Sequence, residues 1–119
     1  MNSPIDFVIR PEGSTDPAAL REYAERRLAF ALRRFELLTR HVTVRLTDTN
    51  GPKGGFDSRC SITLRLVDGR YIDVEAVGAW PFASITGAAK RLNSAVRREV
   101  AKAHVSTRRR RRISADVSV

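Results

Sequence analysis

At 119 residues the chain has the length of one domain and can bury a single modest core. Its formal net charge of +9 and pI near 11.1 point to polyanionic partners, nucleic acid first and an anionic membrane surface second. One cysteine, Cys60, excludes an intramolecular disulfide framework, and no run approaches membrane-spanning length. The N-terminus lacks a basic segment followed by an apolar one, so the expectation is a soluble, cytoplasmic, basic domain.

The first predicted element is a strand, "IDFVIR", rich in β-branched and aromatic residues, followed by a turn at "PEGST". A helix is then predicted over "DPAALREYAERRLAFALRRFELL". Asp16 suits its N-cap and Pro17 its first helical position, and the interior is rich in strong helix formers. Its core contacts are assigned to Leu20, Ala24, Leu28, Ala31, Phe35 and Leu38. Arg26 and Arg33, and likewise Arg27 and Arg34, are seven residues apart and fall on nearly one side, with Phe30 among them. Arginines around a ring suit looped or single-stranded RNA, but for Phe30 itself packing under a neighbouring helix is the favoured expectation.

From His41 the apolar period becomes two, in "HVTVRL", "RCSITLRL" and "YIDVEAV". The turn "VDGR" fixes a register. A two-residue Asp-Gly turn would place Asp73 and Glu75 opposite Leu64 and Ile62, putting acids on the apolar face. A three-residue loop of Val67, Asp68 and left-handed Gly69 pairs Leu64 with Ile72 and Ile62 with Val74, and is preferred.

Between the first two of these runs lies "NGPKGGFDSRC", which has the composition of a phosphate cradle. A P-loop, however, needs its lysine after the glycines and a helix after the lysine, whose amides and dipole hold the phosphate. Here Lys53 precedes Gly54 and Gly55, and a strand follows. The stretch is read as a long hairpin loop, with Lys53 and Arg59 as auxiliary RNA contacts that have little to pair with beyond Asp57.

A last helix is predicted over "PFASITGAAKRLNSAVRREVAKA", with Trp80 before it as a hydrophobic staple. Phe82, Ile85, Ala89, Leu92, Val96, Val100 and Ala103 form its apolar stripe. Lys90, Arg91, Arg97, Arg98 and Lys102 fall opposite, around Ser94, with Glu99 the only nearby acid. Solvated faces normally mix charges, so this face is the main polyanion-binding candidate. Arg108, Arg109, Arg110, Arg111 and Arg112 continue the positive charge into residues 106–119, read as a basic, disordered C-terminal tail after a domain at 1–105. The two histidines, His41 and His104, lie far apart, and no zinc spacing, nucleophile elbow or compact acid pair is present. No metal, cofactor or small-molecule substrate is expected, nor an enzymatic activity.

The order β-α-β-β-β-α, the stretch "ALREYAERRL…RRF" and the stretch "VEAVGAWPFASITGAAKRL" resemble the HPF/RaiA ribosome-hibernation factors, also called sigma-54 modulation proteins, over about residues 5–104. The resemblance implies an α+β fold, a four-stranded sheet with two helices packed on one face, similar to double-stranded-RNA-binding domains. It implies a stress-response translation inhibitor that occupies the tRNA/mRNA channel of the small ribosomal subunit and contacts rRNA phosphates through its helices. Arg27, Arg91 and Arg98 stand at positions where the family has lysines. Ser94 and Val100 depart from a common arginine and a common lysine, and Trp80 replaces a frequent aspartate. The length resembles the short form, leaving room for a separate ribosome-dimerising factor as a partner. Two other readings stay open: a general RNA-binding module of the double-stranded-RNA-binding type, and a peripheral factor whose polybasic arm docks on an anionic surface or an acidic protein partner.

Overall fold

The computed structural model of the chain describes residues 5–10, 16–50 and 56–117, with side chains described to residue 102 at the C-terminal end. The turn at 11–15 and the glycine-rich tip at 51–55, including Lys53, lie outside the described residues. The elements are β1 (Ile5–Arg10), α1 (Pro17–Ala31), a 3₁₀ segment (Arg33–Leu38), β2 (Thr39–Asn50), β3 (Phe56–Leu66), β4 (Tyr71–Gly78) and α2 (Pro81–Val117). The fold is α+β, as expected. One sheet in the order β1-β2-β3-β4 carries α1 and α2, and its first pair is parallel while the others are antiparallel. A parallel pair needs a long crossover, which α1 provides between β1 and β2.

Register follows from alternation. Phe7, Val44, Ile62 and Val74 align in one row across the four strands, and Val42, Leu64 and Ile72 align beside them. A third row passes through Leu46, Cys60 and Ala76. Slipping any strand by one residue would turn these apolar side chains to water and bring charged ones inward. The core is closed from above by Leu20, Leu28 and Leu32 and by Ile85, Leu92 and Val96. Burying each such side chain contributes roughly 1.5–3 kcal/mol relative to leaving it exposed.

The β3–β4 hairpin has the expected three-residue loop. Leu66 N–H donates to the Arg70 carbonyl at 2.8 Å, Gly69 has φ +93°, and Leu64 pairs with Ile72. The Asp68 carboxylate accepts from the Arg70 backbone N–H at 3.0 Å, which chiefly holds its pKa below the usual carboxylate value.

Helix α1 starts as its sequence indicates: the Asp16 carboxylate accepts from Ala18 N–H at 3.0 Å and Pro17 is the first helical residue. It ends earlier than expected. Leu32 (φ −104°, ψ 8°) and Phe35 (φ −119°, ψ 16°) leave helical geometry, and the chain tightens into the 3₁₀ segment. This turn drops Leu32 fully into the core and packs Phe35 against it, while Leu38, expected in the core, is exposed. The Asn93 side-chain amide donates to the Ala31 carbonyl at 2.8 Å, taking one of the acceptors that a helix end leaves free.

Helix α2 lies across β3 and β4, and small residues set how close it comes. A Cβ on Gly78 would sit 2.9 Å from Ser84 N, and one on Gly87 would sit 3.1 Å from Ala76 Cβ. Ser84 is fully buried and shares a 3.2 Å hydrogen bond with Ser58. Ile85, Ala89, Leu92 and Val96 face the core as the stripe requires, joined by Ala88. Trp80 is 72% exposed and does not act as a staple. The backbone helix runs on to Val117, past the boundary drawn at 105, because no glycine or proline follows Gly87 and arginine is a good helix former.

Candidate nucleic-acid interface

With its apolar stripe held against the sheet, α2 turns Lys90, Arg91, Ser94, Arg97, Arg98 and Lys102 outward, and all are exposed. Among the described residues no acid lies within ion-pair distance of Lys90, Arg97 or Arg98. Glu99, the one acid nearby in sequence, is engaged by Arg70 at 2.9 Å and by Lys102 at 3.5 Å. The face therefore keeps its excess positive charge, which is the electrostatic footprint of a polyanion binder.

Arg91 has a second task. Its guanidinium donates to the Glu75 carbonyl of β4, which forms an outer edge of the sheet. The bond occupies an acceptor on an edge strand and fixes the direction of this arginine.

Helix α1 packs beside α2 through Tyr23, whose hydroxyl lies 2.6 Å from Thr86 Oγ1 and whose ring meets Phe82 edge-on at 5.1 Å. Between the helices runs a groove of about 400 Å³ lined by Arg27, Phe30, Lys90, Asn93 and Ser94. A second groove of about 460 Å³ runs between α2 and β4, lined by Asp73, Glu75, Arg91 and Arg98 together with Lys90 and Ser94. Lys90 and Ser94 thus form the ridge between the two grooves; the charged residues of the first are all cations, while the second sets Arg91 and Arg98 beside Asp73 and Glu75. Arg27 is half-buried, and its Nε is buried without a hydrogen-bond partner among the described residues.

The other residues singled out in the sequence are distributed unevenly. Arg26 is exposed and approaches Glu22 at 4.0 Å. Arg33 and Arg34 are exposed but belong to the 3₁₀ segment, so the seven-residue spacing from Arg26 and Arg27 does not continue along one helix. Arg59 lies on the open face of the sheet, opposite the helices, and pairs with Glu75 at 3.2 Å, so Asp57 is not its sole neighbouring acid. Arg108, Arg109, Arg110, Arg111 and Arg112 belong to the helical backbone of α2, and their side chains lie outside the described residues. Phe30, expected to pack under a neighbouring helix, is instead 73% exposed at the groove rim. Asn93 was not foreseen as a groove residue; its one sequence signal is a residue of weak helix propensity in mid-helix.

Cys60 is fully buried and its thiol is pushed up to about 12 by desolvation, which disfavours the nucleophilic thiolate. His41 meets Asp6 at 2.8 Å on the open sheet face, away from the helices. Among the described residues there is no group of three potential metal ligands, and no helix is long and apolar enough to cross a membrane.

Residues 9–104 match the family model described as sigma 54 modulation protein / S30EA ribosomal protein. Among solved structures, the chain is similar to the N-terminal domain of Protein Y from Thermus thermophilus, with 28% identity and a TM-score of 0.61 over 82% of this chain and 98% of that one. It is also similar to a ribosomal subunit interface protein from Coxiella burnetii, with a TM-score of 0.64 over the same shares. That likeness, at 15% identity, concerns the fold. No curated protein sequence matches the chain significantly.

Proposed function

The chain belongs to the sigma 54 modulation protein / S30EA ribosomal protein family, and from that premise we propose that it is a ribosome-associated hibernation factor. It binds the small ribosomal subunit in the channel used by tRNA and mRNA, and it silences translation by occupancy, making and breaking no bond. The observation that carries this reading is the group of cations across α1 and α2, where Arg27, Lys90, Arg97 and Arg98 form no ion pair with an acid among the described residues. A ribosome-directed surface of this kind neutralises rRNA phosphates and releases their counterions, so binding weakens as salt rises.

In this reading residues 1–105 are the ribosome-binding domain and 106–119 a basic arm. The central footprint is Arg27, Lys90, Arg91, Arg97, Arg98 and Lys102, with Arg26, Arg33 and Arg34 at its margin. Lys53 and Arg108 to Arg112 add peripheral contacts, and Arg59, paired with Glu75 on the opposite face, stands outside it. The partners are the small subunit and its rRNA, with a separate ribosome-dimerising factor acting alongside. The family's ribosomal association supports a cytoplasmic location.

Co-sedimentation with ribosomes through a sucrose gradient tests the reading. The protein should travel with the small subunit at low salt and be released at high salt. Protein that stays at the top of the low-salt gradient while ribosomes migrate overturns it.

A further inference from the structure

Charge accounts for Arg27 and Lys90 but gives no use for Phe30. An isolated exposed apolar side chain needs no explanation on its own. This ring, however, is 73% exposed on the wall of a groove of about 400 Å³ whose other lining includes two cations and the polar Asn93 and Ser94. The α1 C-terminus is tied down here, because the Asn93 amide holds the Ala31 carbonyl and Leu32 is locked in the core. The ring is therefore presented on a fixed platform. Beside it, the Arg27 side chain has a buried Nε donor with no partner among the described residues. Turning that guanidinium outward onto an anion would relieve the unpaired donor.

The chemistry that uses all of these groups together is a π-faced, polar-edged ring attached to a phosphate. A purely anionic ligand would leave the ring unused, and an aliphatic one would leave the cations unpaired. A base within a duplex has both faces covered by its neighbours, so the ring must come from an unpaired nucleotide. We infer that the groove between α1 and α2 seats one unpaired base of single-stranded RNA, stacked on Phe30, with Arg27 and Lys90 holding the flanking phosphates. The base edge faces Asn93 and Ser94. This rests on the RNA-binding reading above and specifies one site within it.

The test uses the full chain and a short single-stranded RNA carrying 2-aminopurine, with fluorescence intensity reporting stacking and anisotropy reporting binding. Binding should quench the fluorescence. Phe30→Ala should abolish the quenching and weaken binding about tenfold, within the range alanine substitution of stacking aromatics gives. Phe30→Tyr should keep both, and the salt slope should be the same for all three proteins because no cation is removed. Equal quenching by wild type and Phe30→Ala, or failure to bind the single strand at all, overturns the base seat. If co-sedimentation with ribosomes still succeeds, only the seat falls; if that fails as well, the ribosome reading falls with it.

Discussion

Arg91, on the outward face of α2, donates through its guanidinium to the backbone carbonyl of Glu75 on the outer edge of β4. It is thus a fastening between helix and sheet as well as a cation of the candidate interface. Arg98, about two helical turns further on, has no such contact among the described residues. The two arginines should therefore separate in stability. Arg91→Glu should lower the unfolding free energy by about 1 kcal/mol, the net worth of one such bond. Arg98→Glu should stay within about 0.5 kcal/mol of wild type. Urea denaturation decides it, and both variants should weaken ribosome binding.

The docking of α2 depends on Gly78 more than on Gly87. A methyl at Gly78 meets backbone, Ser84 N at 2.9 Å, and the α2 first turn must move to admit it. At Gly87 the nearest atom is Ala76 Cβ at 3.1 Å, and alanine gains about 1 kcal/mol of helix propensity there. Gly78→Ala should cost about 1–3 kcal/mol, and Gly87→Ala clearly less. Denaturation midpoints in the order wild type, Gly87→Ala, Gly78→Ala are expected, and a reversed order of the two variants would show that α2 is held otherwise.

Cys60 gives the fold a pH dependence at the alkaline end. Burial raises its thiol from an ordinary 9.0 to about 12. The folded state holds this proton more tightly than the unfolded chain, so the stabilisation is complete below about pH 9 and is lost as pH rises toward about 12. From about pH 9 upward, wild-type unfolding free energy should fall more steeply than that of Cys60→Ala. Parallel curves would show that the thiol does not contribute.

Much of the fold was legible because its signals are local. The clash of Asp73 and Glu75 with the apolar face selected the three-residue hairpin, and Asp16-Pro17 marked the start of α1. The end of α1 was not legible. "FALRRFELL" has uninterrupted helix formers, and only tertiary packing makes Leu32 leave the helix to reach the core. The cations of α2 could be read from one stripe, but the groove combines Arg27 and Phe30 of one helix with Lys90 and Asn93 of another. No spacing within a single element encodes that meeting. Arg59 shows the same limit: its partner Glu75 lies on the neighbouring strand and becomes visible only with the register.

The salt dependence of binding counts phosphate contacts. Each cation that meets a phosphate contributes about 0.7–0.9 to the slope of log affinity against log salt. Replacing Lys90, Arg97 or Arg98 singly by glutamine should reduce the slope by about that amount. Arg59→Gln, on the opposite face, should leave the slope unchanged; a reduction there would move the footprint onto the open sheet.

Competition between this protein and tRNA for purified small subunits tests the channel assignment most directly. Saturating protein should exclude tRNA, and excess tRNA should displace the protein, each lowering the other's apparent affinity. Simultaneous binding of both with undiminished affinity would contradict occupancy of the channel.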